Sequence, residues 1–412
     1  MSEPTFPAMQ GPVCPLPLSQ HDQIVIGHGS GGLMTHELIR DLFQKYLGNP
    51  TLNAGNDAAI LAASNQVPAG SRLVVSTDAH IVSPLFFPGG DIGRLAICGT
   101  VNDVAMMGAQ PRYLTATFIL EEGFSIAALE EVLRSMQAAC AEAGVSIIAA
   151  DTKVTEKGKS DGLFISTTGF GWLPEGRRIA GDNAQPGDAV LVSGPMGNHG
   201  IAVMQARGNL GFQSEVRSDT SPLNALVWGL CQAFPSVHVL RDPTRGGLAT
   251  TLAEIAMQSQ VGITLEEFAI PIDQPVRTAC ELFGLDPLYL ANEGKMIVIL
   301  PEEDSLAALS YLRVQRYGEG AALIDGKNSP VCSKCIGLAL RRVADTYGKP
   351  HGIAEARSAP ATTARCFMCD AAIVSSGFVA YRHPYCFCGE CLVSTLALMI
   401  SDEKEPLVVV NF

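Results

Sequence analysis

Two apolar runs of strand length close on an aspartate: "RLVVSTD" at 72–78 and "VSIIAAD" at 145–151. Both are short and β-branched, so they read as strands. Between them lie a small-residue buried helix, "GRLAICGTVNDVAMMGA" (93–109), a strand, "RYLTATFIL" (112–120), and an amphipathic helix, "SIAALEEVLRSMQAACAEAG" (125–144), stopped at Gly144. "GLFISTTGFGWL" (162–173) adds one more strand. Upstream, "THELIRDLFQKYL" (35–47) has helical spacing, with Thr35 as its expected N-cap. A second unit follows the turn-rich "GDNAQPGD" (181–188). It holds strands "AVLVSG", "KMIVILPEED" and "GAALI", and helices "GIAVMQAR", "SPLNALVWGLCQAF", "GGLATTLAEIAMQSQ" and "SLAALSYLRVQRY". The alternation lacks the strict rhythm of a doubly wound sheet, so two α+β domains are expected, 23–178 and 179–325. Residues 1–22, with five prolines, read as a loose leader, and 326–412 as a separate Cys-rich tail.

Length and composition support this division. The 412 residues are 47% hydrophobic and 17% charged, enough for two or three domains with real cores. A net charge of −13 gives no general reason to bind nucleic acid or an anionic membrane. No stretch approaches 18 uninterrupted apolar residues. The first twenty lack a basic leader and an apolar core, so no secretory signal is expected and the cytoplasm is the expected location.

The aspartates carry the chemistry. Asp57, Asp78, Asp103 and Asp151 recur at the ends of apolar runs. A residue at the C-terminal end of a strand projects into the cleft at the sheet edge, and acids gathered there suit Mg²⁺, which takes oxygen ligands and substrate phosphates. Each aspartate taken singly is as well explained by capping a turn; four in one unit favour metal and phosphate. "GHGSGG" (27–32) precedes a helix, and its backbone around His28, Gly29, Ser30 and Gly31 suits phosphate, although it is no P-loop. Lys153 stands two residues after Asp151, either as a phosphate partner or as a solvated lysine. In the second unit "RDPTRGG" (241–247) sets Asp242 and Arg245 before a helix, "NEGK" (292–295) sets Glu293 before a strand, and His199 lies in "GNHG".

Taken together, "GHGSGGLMTHELI", "STDAHIVSPLFFPGGDIGRLAICGTVNDVAMMGAQPRYL", "FILEEG", "AADTKV", "RDPTRGGL" and "LANEGK" resemble the HypE carbamoyl dehydratases of [NiFe]-hydrogenase maturation. These belong with aminoimidazole ribonucleotide synthetase and selenophosphate synthetase. The resemblance runs in family order over 24–324. It implies a PurM-like two-domain body, a homodimer and ATP-driven conversion of a protein-thiol carbamoyl group to thiocyanate. The partners implied are a HypF-like carbamoyltransferase and the HypC–HypD complex, which takes the cyanide. It places Asp57, Asp78, Asn102, Asp103 and Asp151 at Mg²⁺–ATP and Lys153 on phosphate, and gives Glu293 the proton removal. A selenide kinase and a non-catalytic scaffold are the rival readings.

The tail departs from the pattern. HypE proteins end in Pro-Arg-X-Cys, whereas this chain ends in "VVVNF". Seven of its twelve cysteines cluster here: Cys332, Cys335, Cys366, Cys369, Cys386, Cys388 and Cys391. Three readings stand: a zinc site made by four of these thiolates, a replacement for the missing acceptor thiol, and a fused or frame-shifted segment.

Overall fold

The computed structural model describes residues 22–30, 33–54, 59, 67, 69–208 and 214–325, with four further strands at 354–359, 377–380, 386–388 and 408–411. The chain opens with a 3₁₀ turn (Ile26–Gly29), then α1 (Leu33–Leu38), which runs through a π turn (Ile39–Phe43) into α2 (Gln44–Leu47). Thr35 is therefore inside the helix and not its cap; its hydroxyl reaches back to the Gly27 carbonyl at 3.4 Å.

The first sheet is built from β1 (Arg72–His80), β4 (Gln110–Glu121), β5 (Ser146–Thr155) and β6 (Leu163–Leu173), in the order β1-β6-β4-β5. β2 (Phe86–Phe87) and β3 (Gly90–Asp91) form a small hairpin beside it. The β4–β5 pair is parallel and the others antiparallel. Two helices cover one face. In α4 (Ile126–Ala143), Leu129, Val132, Leu133, Met136 and Ala139 point inward at helical spacing. Ser125 caps its first turn, and Gly144 at φ 68° ends it, a conformation that costs a side chain-bearing residue. α3 (Ile92–Met106) is buried almost all round, thirteen of its fifteen residues, which small side chains permit. Asp91 caps it by accepting from the Gly93 and Arg94 amides.

The second sheet has the order β11-β7-β10-β8, from β7 (Asp188–Val192), β8 (Val239–Arg241), β10 (Ile297–Pro301) and β11 (Ala322–Leu323), all antiparallel. β10 is apolar on both faces because both are covered. Val298 and Leu300 face α6 (Asn224–Ala233) and α9 (Glu302–Arg313). Ile297 and Ile299 face α7 (Gly247–Ser259). α5 (Asn198–Ala206) and α8 (Gln274–Phe283) pack together at one end of this layer. β9 (Ile263–Glu266) pairs in parallel with β15 (Val408–Asn411) at the edge of a sheet that continues through β12 (Ala354–Ala359), β13 (Gly377–Ala380) and β14 (Cys386–Cys388). Cys386 and Cys388 fall on the β14 backbone. Cys332, Cys335, Cys366, Cys369 and Cys391 lie outside the described residues, and with them the expected zinc or thiol role of the tail.

The two layers are joined firmly. Ala105 and Met106 of α3 belong to the second unit's core. Glu142 at the end of α4 accepts from Arg94 at 2.9 Å, from Arg316 at 2.8 Å and from the Tyr317 hydroxyl, so one carboxylate ties α3, α4 and the segment after α9. Among the described residues no helix is long and apolar enough to cross a membrane.

Candidate active site

The seam between the two sheets holds two cavities, of about 660 and 670 Å³. Asp103, Asp242, Thr244 and Arg245 border both, so the turn after β8 is a partition between them. Four elements supply the walls. α3 brings Asp103, whose Oδ2 accepts from the Ser76 hydroxyl of β1 at 2.8 Å. β1 also brings Asp78 to the first cavity. The turn 242–247 brings Asp242 and Arg245; its two consecutive glycines have φ of 78° and 64°, and a Cβ on Gly247 would lie 2.5 Å from the Leu288 carbonyl oxygen. The loop before β10 brings Glu293 to the first cavity, and the start of α5 brings His199.

Crowding of acids governs the electrostatics. Burial raises the Asp103 carboxyl, opposed by its Ser76 bond and reinforced by nearby Asp78. Burial, then the Asp103 charge, lifts Asp242 to about 7. Glu293 is pushed well above the ordinary carboxylate range by burial first and by Asp242 and Asp219 next. Acids held together in this way favour a proton or a cation among them. His199 is pushed down to about 4 by burial, so its ring is neutral near pH 7; Nδ1 shares a 2.8 Å bond with Ser218 Oγ, and the ring stands edge-on to Phe87. His80 lines the same cavity with its Nε2 3.2 Å from Thr167 Oγ1.

Several expected site residues are placed elsewhere. Asp78 and Asp151 do not end their strands; they lie inside β1 and β5. Those strands are opposite edges of the sheet, separated by β6 and β4, so three strand spacings of about 4.8 Å keep the two carboxylates from one ion within a single chain. Asp151 instead pairs with Lys153 at 3.4 Å, both largely exposed on β5. Asn102 is 1% exposed and turned away from the cavities. Its side-chain nitrogen donates to the Ser221 carbonyl at 3.0 Å, and its oxygen accepts from the Leu223 amide at 2.7 Å. The 27–30 turn lies against β5: a Cβ on Gly29 would come within 2.9 Å of Val154. There His28 is buried and accepts from the Val25 amide, while Ser30 bonds to the Gly27 carbonyl. Gly31 and Asp57 lie outside the described residues.

The donor set suits magnesium carried by a nucleotide. Among the described residues no three acid, histidine or cysteine side chains converge as a closed metal cage. Asp78 and Asp103 instead offer carboxylates to one cavity, and Mg²⁺ is held by one or two carboxylates when phosphates complete its shell. Ser76, His80 and Asp219 escaped the sequence reading. Asp219 stands in "SDTSPL" (218–223), where a lone aspartate reads as a turn.

A two-layer α+β body with acids at its seam defines a class, and family comparison identifies it. Residues 55–173 match the AIR synthase related protein N-terminal domain and 185–324 the corresponding C-terminal domain. The chain is 54% identical over 302 residues to the "Carbamoyl dehydratase HypE" of Cupriavidus necator, covering 73% of this chain and 85% of that one. It superposes on a crystal structure of the hydrogenase maturation protein HypE in complex with ATP with a TM-score of 0.70 at 51% identity, covering 73% of this chain and 88% of that one. It also superposes on a HypE–HypF complex at 0.61 and 47%, covering 70% and 92%. The chain belongs to the HypE family of the AIR synthase related proteins.

Proposed function

We infer that this protein is an ATP-dependent carbamoyl dehydratase of hydrogenase maturation. The observation that carries the reading is the convergence of Asp103, Asp242 and Glu293 at one seam, in a chain half identical to HypE. The net reaction converts a protein thiocarbamate and ATP to a thiocyanate, ADP and phosphate. The amide oxygen attacks the γ-phosphorus and displaces ADP; the phosphorylated imidate then loses phosphate as the C≡N bond forms, and the nitrogen gives up its protons. Glu293, at the cavity wall, would take one of them at a time and pass it on to phosphate or water. Its high proton affinity suits a group that must receive a proton and pass it on. Asp78 and Asp103 would hold Mg²⁺, which offsets triphosphate charge when bound. Arg245 would bind phosphate, while neutral His199 is placed to donate or accept a hydrogen bond without adding charge.

The remaining expected phosphate residues, Ser30, Asp151 and Lys153, belong to the β5 edge. On this reading a second copy completes the site. The outer face of the first sheet leaves Leu73 and Val75 about half exposed, an apolar surface on a strand that a homodimer would cover. Leu73→Glu would then shift sedimentation from dimer to monomer and weaken ATP binding; a monomeric wild-type protein with full activity would refute it. The chain divides into 23–178 and 179–325 on the same reading, works in the cytoplasm, receives its carbamoyl group from a HypF-like transferase and passes cyanide toward a HypC–HypD-like carrier.

The test is mass spectrometry of the intact protein after incubation with HypF, carbamoyl phosphate, Mg²⁺ and ATP. Loss of one water from the carbamoylated thiol, with stoichiometric phosphate, is the expected result. ATP turnover dependent on selenide alone would favour the kinase reading, and no ATP turnover at all would favour a scaffold.

A further inference from the structure

We infer that Asp219 and Asn102 are positioning residues for Glu293, clasping its peptide so that the base is fixed to the helix that carries Asp103. This rests on the reading of Glu293 as the proton acceptor. Asp219 Oδ1 accepts from the Glu293 amide at 3.0 Å. The Glu293 carbonyl takes the Ser221 amide at 3.4 Å and the Asn102 side-chain amide at 3.4 Å. The backbone N–H and C=O of Glu293 are thus both engaged, and its carboxyl is left to the cavity. Gly294 allows the fit, since a Cβ there would lie 1.9 Å from the Asp219 carbonyl oxygen. Asn102 holds the other half of the clasp: its amide donates to the Ser221 carbonyl, and its oxygen accepts from the Leu223 amide at 2.7 Å. The 219–223 segment is therefore gripped between α3 and the Glu293 loop.

Two features separate this from ordinary packing. Asp219 Oδ2 is closed off from solvent and has no hydrogen-bond partner among the described residues. A sealed carboxylate oxygen without a partner is costly to keep in a structure. The carboxylate's side-chain bond goes to the backbone of the proposed base. Asn102 is the covalent neighbour of Asp103, so the same helical turn sets the nucleotide-facing acid and, through the clasp, the base. A displacement of about 1 Å at a reacting group lowers rate by about 100-fold, which gives such a clasp its value.

The experiment compares Asp219→Ala, Asp219→Asn, Asn102→Ala and Glu293→Gln in the full chain, reading kcat and KM for dehydration, Mg²⁺–ATP affinity and the melting temperature. Asp219→Ala is expected to lower kcat about 100-fold with ATP affinity nearly unchanged. Asp219→Asn, which keeps the accepting oxygen, is expected to restore most of that loss. Asn102→Ala gives the same split, and serves if Asp219→Ala does not fold. In a Glu293→Gln background neither alanine variant should lower kcat further, whereas damage to the fold alone would still add. Wild-type kcat in Asp219→Ala or Asn102→Ala, or further additive losses on Glu293→Gln, overturns the clasp. A fully active Glu293→Gln instead removes the base on which it rests.

Discussion

The acids at the seam and the charged pair on β5 belong to the same molecule yet are in opposite states. Asp103, Asp242 and Glu293 sit in enclosing walls, one bonded to Ser76 and all with raised proton affinity. Asp151 and Lys153 stand largely in solvent with each other for company, where an ion pair contributes little. The seam is prepared before any ligand arrives, because two domains close round it. The edge has no walls of its own. The difference teaches that chemistry resides where a fold can exclude water; on the proposed function the edge would serve binding through the copy that docks on it.

Glu293→Gln should give the largest effect, a fall in dehydration rate of about 10²- to 10⁴-fold, the usual worth of a general base. Quench-flow measurement of phosphate release checks it, and an equal loss in Lys153→Ala would break the comparison. Asp103→Asn comes next: ATP turnover should drop by about 10²- to 10³-fold while circular dichroism stays native. Unchanged turnover would remove Asp103 from the nucleotide site. Lys153→Ala should be milder, about a tenfold rise in KM for ATP with kcat nearly kept; steady-state kinetics decide.

The seam also predicts a pH dependence of stability. Asp242 has a folded value of about 7 against an ordinary 3.8, so the folded state prefers its protonated form. Its contribution to stability is complete below about pH 4 and is lost as pH rises through about 7, each unit corresponding to about 1.4 kcal/mol. Nucleotide-free protein should melt at lower temperature as pH is raised across this window, and Asp242→Asn should flatten the profile. Calorimetry at several pH values tests it; a melting temperature that climbs steadily from pH 5 to 7 in the wild type alone would contradict it.

The strands and most helices were legible because their apolar periodicity is local. "GLFISTTGFGWL" alternates and becomes β6, buried at every second residue. The seam acids were legible too, since each stands beside an apolar run. Sheet order was not: nothing in "RLVVSTD" or "VSIIAAD" says that two strands will separate them. Asn102 misled for a related reason. It neighbours Asp103 in sequence, but adjacent helical residues point about 100° apart, and this turn sends one to the cavity and the other into the domain contact. Asp219 left no periodic trace, because its partner, the Glu293 amide, is distant in the chain.

Helix α3, buried on nearly every side, has a consequence best put in terms of time. It is capped by Asp91, joined through Arg94 to Glu142 and the Thr220 carbonyl, and joined through Asn102 to the opposite domain. A rod fixed at its start, middle and end has no slow sliding coordinate left to it. The exposed mouth side chain of Arg245 keeps its freedom. Exposed side chains rearrange in picoseconds to nanoseconds, against microseconds to milliseconds for a domain hinge. On the proposed function, ligand exchange at this seam would be clocked by its rim, and each turnover would begin with Asp103 already in place.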